Sequence, residues 1–262
     1  MSAPLITLTT DFGAGSAYVA AMKGVILSIC PAARVVDLSH LIPPQDVRQG
    51  ALFLADATPW FPPGTIHVAV VDPGVGTTRR ILYAEIAGQR YICPDNGLVS
   101  WLATREKPTK MRSITAEAWF RGPVAPTFHG RDIMAPVAAR LCLGLDPDAL
   151  GPACEDPVTL DWPGATKVAQ RIDGVVTQVD SFGNLITNIS RDMLADAPTD
   201  ESVTVTCDEH ETQGIFRTYA DQPPMTLIAL IGSGDLLELA IVNDSAKIML
   251  GVGVGAPVQV RW

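Results

Sequence analysis

Ile66-His67-Val68-Ala69-Val70-Val71-Asp72-Pro73-Gly74-Val75-Gly76 is the stretch that decides the fold. A short, nearly continuous apolar run bounded by turn residues reads as a buried strand. Pro73, Gly74 and Gly76 turn the chain sharply straight after it. Asp72 therefore stands on a tight loop at the C-terminal end of a buried strand, where open α/β sheets place ligand chemistry. Downstream, Thr127-Phe128-His129-Gly130-Arg131-Asp132 gathers polar and charged groups between apolar flanks. Taken singly, Asp72 reads as a cap for the next element and His129 as a hydrogen-bonded core residue. Taken together, and with Arg79, the set reads as functional, because a plain core would hold none of these charges.

Working outward, the N-terminal half alternates strand and helix patterns. Leu5 to Thr9 and Arg34 to Leu38 read as strands, and Ile81 to Ile86 with Arg90 to Cys93 as a hairpin around Ala87-Gly88. Val19, Met22, Val25, Ile26 and Ile29 recur at helical spacing before Pro31. Val47 to Thr58, Leu98 to Arg105 and Ile133 to Leu143 also read as helices. This predicts an α/β N-terminal domain, residues 1–160, with a mostly parallel sheet flanked by helices. Pro147 to Pro163 is rich in proline, acids and glycine and reads as a linker. Beyond it, Arg171 to Val179, Leu185 to Ile189, Ser202 to Cys207, Thr226 to Ile231, Leu236 to Val242 and Pro257 to Val260 are short β-rich runs. They predict a small all-β, barrel-like C-terminal domain over residues 161–262.

Composition narrows the function classes. Hydrophobic content of 47% with 18% charged residues describes a folded chain with a sizeable core. A net charge of -9 disfavours nucleic acid and anionic membrane surfaces. No run approaches the ~18 apolar residues of a membrane span, and Met1-Ser2-Ala3-Pro4-Leu5 lacks the pattern of a signal peptide. The five scattered cysteines suit reduced thiols and a cytoplasmic location. The four histidines have no partners at metal-ligand spacing, so no metal is expected.

Two motifs mislead. Asp11-Phe12-Gly13 and His129-Gly130-Arg131-Asp132 evoke protein kinases, but in the wrong order and with an extra glycine. Gly251-Val252-Gly253-Val254-Gly255 has no helix after it, so it reads as a strand-and-turn segment rather than a phosphate loop. Asp11, after the first strand, reads equally as a ribose-binding carboxylate and as a cap for the following helix. In Asp180-Ser181-Phe182-Gly183-Asn184 an aromatic ring and an amide could stack on a flat base and read its edge, although Phe-Gly-Asn is also ordinary turn chemistry. Arg131 and Asp132 read as a structural ion pair that fixes their loop.

The motifs Thr9-Thr10-Asp11-Phe12-Gly13, Met22-Lys23-Gly24, Val71 to Gly76, Pro94-Asp95-Asn96-Gly97, Thr127 to Asp132 and Asp180 to Asn184, in this order, resemble one family. It is the S-adenosyl-L-methionine (SAM) hydroxide adenosyltransferases, relatives of the adenosyl-halide synthases fluorinase and chlorinase. The resemblance implies an enzyme in which activated water attacks C5′ of SAM, giving adenosine and L-methionine, with SAM as substrate and no cofactor. It implies Asp72, Arg79 and His129 as the water-activating set, Asp11 on the ribose, Phe182 and Asn184 on adenine, and Asp180 and Ser233 at the methionine end. Asn96 is placed on the substrate side in a shaping role, and Gly130 offers a backbone N–H to the attacking oxygen. A homotrimer with sites between subunits is also implied. The halogenases carry tyrosines at the positions of Asp72 and His129 and a long insertion before the Pro94 motif, which favours water over halide here. They also carry an arginine at the position of Gly234, which leaves the partner of the methionine carboxylate open. The alternatives are a halide-using enzyme and a SAM- or adenosine-binding protein with vestigial turnover.

Overall fold

The Ile66–Val70 run is buried at every residue, and the reason is that both faces of its sheet are covered. Ile66, Val68 and Val70 pack into a core with Val19, Met22 and Ile26. Ala69 and Val71 face the opposite way, into a second core with Leu54, Leu98 and Leu102. The computed structural model describes residues 3–262; Met1 and Ser2, part of the stretch read as lacking a leader, lie outside them. The chain divides into two compact units, Met1–Leu160 and Asp161–Trp262.

The first unit is built from β1 (Leu5–Thr10), α1 (Ala17–Ile29), β2 (Arg34–Ser39), α2 (Val47–Ala57), β3 (Ile66–Val70), β4 (Ile81–Ile86), β5 (Gln89–Pro94), α3 (Ser100–Arg105), β6 (Lys110–Ser113) and α4 (Ala135–Cys142). Its sheet has the order β2-β1-β3-β5-β4-β6. The pairs β1–β2, β1–β3 and β3–β5 are parallel, and β4 runs antiparallel to both β5 and β6. The sheet is thus mixed, because Ala87 and Gly88, both at positive φ, reverse the chain in a tight hairpin.

The Pro147–Pro163 stretch is not a free linker. Ser113 N donates to the Pro152 carbonyl at 2.9 Å, Thr115 N to that of Leu150 at 2.9 Å, and Cys154 N to that of Met111 at 3.1 Å. The segment straps the edge strand β6, and Leu150 is fully buried. Its prolines suit this place, since an edge partner needs carbonyls more than N–H groups.

The second unit comprises β7 (Thr166–Val168), β8 (Arg171–Val179), β9 (Leu185–Ser190), β10 (Thr204–Cys207), β11 (His210–Gln213), β12 (Leu227–Ile231), β13 (Leu236–Ile241), α5 (Ala246–Leu250) and β14 (Pro257–Arg261). An eight-stranded sheet follows the path β11-β10-β14-β8-β9-β13-β12, with β7 paired to β8. Its two ends approach each other. Thr212 Oγ1 donates to the Leu227 carbonyl at 2.8 Å, and Phe216 N to that of Ala229 at 2.8 Å. The result is a nearly closed, barrel-like sheet around Val176, Leu185, Val205, Leu239 and Val260. The Gly251 run starts with a left-handed residue that ends α5 and leads into β14, so it is not a phosphate loop.

Candidate active site

The loop after β3 carries Asp72 and returns through Arg79 into β4. Arg79 Nε donates to Asp72 Oδ1 at 2.8 Å, and its Nη2 donates to Oδ2 of the same carboxylate. Asp72 is therefore held bidentately by a guanidinium rather than capping a helix. The same Nη2 lies 2.9 Å from His129 Nδ1. A guanidinium only donates, so Nδ1 is the acceptor and the neutral ring carries its proton on Nε2. Burial, and then the positive charge of Arg79, lower the pKa of His129 below the usual imidazole value.

Two glycines make this meeting possible. Gly76 has φ +80, and a Cβ there would lie 2.6 Å from the Pro126 carbonyl. The Asp72–Arg79 loop thus lies directly on the segment that leads to His129. Gly130 opens a π-helical turn, Gly130–Met134, a feature frequent at functional sites. A Cβ on Gly130 would sit 3.2 Å from Met22 Sδ and 3.4 Å from Val70 Cγ2, so the absent side chain lets His129 reach the end of β3. Asp132 is fully buried and accepts from Arg131, Arg121 and Ala125 N. Arg131 and Asp132 are thus the structural ion pair that the sequence suggests.

Asp72, His129, Gly130 and Asp11 line one cavity of about 260 Å³, together with Phe12, Gln45 and Phe128. Arg79 is not among the lining residues; it stands behind Asp72 and His129 and touches both. Asp11 Oδ2 accepts from Gln45 N at 2.8 Å. The cap of α1 is Ser16, so the capping role considered for Asp11 does not apply. Asn96 does not line the cavity; its Nδ2 donates to the Val71 carbonyl at 2.8 Å.

The second unit has its own cavity, of about 990 Å³, lined by Asp180, Phe182, Asn184 and Ser233 and by Arg217, Tyr219 and Glu238, among others. Asp180 to Asn184 is a genuine hairpin turn between β8 and β9: Gly183 N donates to the Asp180 carbonyl at 3.1 Å. The Asp180 carboxylate accepts from Phe182 N, Asn184 N and Asn184 Nδ2 at 2.8 to 2.9 Å. The turn therefore coexists with a lining role, and it leaves the Phe182 ring 78% exposed. Tyr219 donates to Glu238 at 3.3 Å, and burial with that neighbouring carboxylate pushes the Tyr219 hydroxyl up to about 12.

Arg217, Tyr219 and Glu238 were not legible as site residues. Arg217 and Tyr219 fall in a stretch that carries none of the family motifs. Glu238 carried the one available signal, an isolated acid inside the apolar run Leu236–Ile241. It is 8% exposed and closes against Gly232, whose Cβ would collide with its carboxylate.

A carboxylate, a guanidinium and an imidazole at the C-terminal end of β3, with an aromatic and amide-lined cavity in a β-barrel-like unit, define an enzyme of small-molecule chemistry. Residues 6–151 match the model of the SAM hydroxide adenosyltransferase N-terminal domain, and residues 174–259 that of the C-terminal domain. The chain is 37% identical to the (R)-S-adenosyl-L-methionine hydrolase of Salinispora arenicola, over 99% of this chain and 98% of that one. A fluorinase from an Actinoplanes species is 31% identical over 74% of each chain. The crystal structure of an uncharacterised conserved protein from Thermotoga maritima superposes with a TM-score of 0.92 at 32% identity, covering 98% of this chain and all 100% of that one. The chain belongs to the SAM hydroxide adenosyltransferase family.

Proposed function

We propose that the protein is a SAM hydrolase: water attacks C5′ of S-adenosyl-L-methionine and yields adenosine and L-methionine. The observation that carries this reading is the Asp72–Arg79–His129 cluster facing a cavity. The relative from Salinispora is named for the R form of the substrate, and we extend that preference to this chain.

The sulfonium needs little help to leave, because the C5′–S electron pair departs onto a neutral thioether. The nucleophile is what is missing, since bulk water has a pKa of ~15.7. In the proposed step the Asp72 carboxylate takes a proton from water as the C5′–O bond forms. His129 Nε2–H and the Gly130 backbone N–H donate to the incoming oxygen. Arg79 does not touch substrate; it fixes the carboxylate and, by donating to Nδ1, fixes the imidazole tautomer. Charge is partly cancelled as a developing hydroxide meets a cation, and a dry cavity strengthens that attraction. The scheme as written requires no cofactor.

In this reading Asp11 takes the ribose hydroxyls and Phe182 stacks on adenine. The Asn184 amide, with its nitrogen already directed to Asp180, presents its oxygen to the exocyclic amine. Asp180 and Ser233 face the methionine end. Arg217, the sole Arg or Lys among the described residues that line the 990 Å³ cavity, takes the methionine carboxylate in place of the arginine missing at Gly234. Arg217→Ala is then expected to raise KM for SAM at least about tenfold and to leave turnover of decarboxylated SAM unchanged. Equal effects on both substrates would remove Arg217 from that role.

The deciding experiment supplies SAM in halide-free buffer made with ¹⁸O-water and follows the products by mass spectrometry. Label in the 5′-hydroxyl of adenosine, abolished by Asp72→Ala, supports the proposal. Formation of 5′-halo-adenosine only when chloride or fluoride is added would assign the chain to the halide-using branch. Binding of SAM or adenosine without turnover would leave a binding protein.

A further inference from the structure

The turn that follows β5 occupies the notch between the two ends of the Asp72–Arg79 loop. Sheet order is the reason: β5 lies between β3, which runs into Asp72, and β4, which begins just after Arg79 and Arg80. Because β5 is parallel to β3 and antiparallel to β4, its C-terminal end lies beside the exit of one and the entrance of the other. Pro94 stands opposite Ile81 in the register.

From that notch the next two residues reach in opposite directions. Asn96 Nδ2 donates to the carbonyl of Val71, the residue before Asp72, at 2.8 Å. Asp95 N donates to the carbonyl of Arg80, the residue after Arg79, at 2.9 Å. Arg80 answers with Nε on Asp95 Oδ2 at 2.7 Å, and the other Asp95 oxygen accepts from Val158 N at 2.8 Å. Asp95 is buried. Gly97 fixes the turn from behind, with φ +101 and a Cβ position only 2.5 Å from Leu160 Cγ. Neither Asp95 nor Asn96 lines the cavity that holds Asp72 and His129.

We propose that Asn96 is a positioning residue for the reaction. With Asp95 it clamps both ends of the Asp72–Arg79 loop and so sets the carboxylate against the guanidinium. The loop needs such a clamp, because Gly74 and Gly76 give it little stiffness of its own. The inference rests on the reading of Asp72 as the water-activating carboxylate, and it gives the shaping role of Asn96 a specific contact, with the loop backbone.

Asn96→Asp keeps the shape, removes the amide donor and sets a carboxylate against the Val71 carbonyl, so it opens the clamp. We expect kcat to fall about 10- to 100-fold with KM for SAM changed less than about twofold, the signature of a displaced reacting group. In an Asp72→Asn background the same substitution should add little, since its effect runs through the carboxylate already lost. Amide exchange across residues 72–79, read by mass spectrometry, should be faster in Asn96→Asp than in the wild type. Should Asn96→Asp fail to fold, Asn96→Ala, which removes the donor without adding a charge, serves for the same comparisons. A raised KM at unchanged kcat, additive losses in the Asp72→Asn background, or unchanged exchange over 72–79 would each overturn the clamp. If the wild type does not cleave SAM, the functional reading fails by itself, while the exchange measurement still decides whether Asn96 restrains the loop.

Discussion

His67 is buried within β3, its Nδ1 lies 2.7 Å from the Thr7 hydroxyl, and its ring stacks on Tyr91 at 5.1 Å. Burial pulls its pKa down to about 4. His129 is also shifted down, but it lines the cavity that Asp72 faces and stands next to Arg79. The two imidazoles therefore make different pH predictions. For His67 the folded pKa lies below the unfolded one, so the unfolded chain takes up the proton first as pH falls. Its contribution is complete above about 6.5 and lost between there and about 4, at a total cost near ~3 kcal/mol. Urea unfolding of the wild type and of His67→Gln should diverge less and less as pH drops through that window; parallel curves would show that burial of the ring does not matter. For His129 the expected readout is rate. Protonation at Nδ1 displaces the hydrogen bond from Arg79, so kcat/KM should fall on the acid side with an apparent pKa below 6.5. That limb should vanish from the residual activity of His129→Gln. Asp72 and His129 were legible as candidates because one ends an apolar run before a glycine turn and the other lies in a charged stretch between apolar flanks. Arg217, Tyr219 and Glu238 were not, because their meaning arises only when β12, β13 and the preceding loop meet in one cavity.

The loop between β3 and β4 works as an element only because it touches its neighbours at few, fixed points. Gly76 is one of them: its left-handed φ and the 2.6 Å approach of the Pro126 carbonyl to the Cβ position both exclude a side chain. Gly76→Ala should lower stability by about 2 kcal/mol through backbone strain and the forced separation of the two segments. Activity should fall more than stability alone explains, since the loop carries Asp72 and Arg79. A melting temperature and a kcat both within error of the wild type would show that the two segments do not need this contact. At this scale the sequence revealed elements with strong periodicity and missed those defined by edges. The buried strands β1 and β3, the hairpin of β4 with β5 and the helices α1 and α2 all carried apolar patterns. The edge strand β6, Lys-Met-Arg-Ser, has only one buried residue and so no pattern to read. Its strap, Leu150 to Cys154, is rich in small residues and proline and is held by backbone bonds that leave no trace in side-chain chemistry. In β11, half-exposed polar residues hide the strand in the same way.

Whole-molecule properties follow less directly from local pattern, and the assembly is the clearest case. Among the described residues no helix is long and apolar enough to cross a membrane, and a net charge of -9 keeps the surface predominantly acidic. Against that background the second unit exposes large apolar side chains: Phe182 is 78% exposed, Ile248 76%, Met225 55% and Met249 50%. Ile248 and Met249 are adjacent on the short helix α5, and neighbouring exposed apolar side chains mark contact surfaces more often than scattered ones do. A homotrimer, which the family resemblance implies, would provide such cover, and we expect light scattering on a sizing column to return three times the chain mass. If assembly matters for turnover, specific activity should fall when the protein is diluted below the concentration at which that mass begins to drop. Substituting Ile248 and Met249 by glutamate, on the exposed side of α5, should lower the mass if α5 faces a neighbouring copy. A chain that sediments as a monomer at all concentrations and retains full specific activity would discard the trimer.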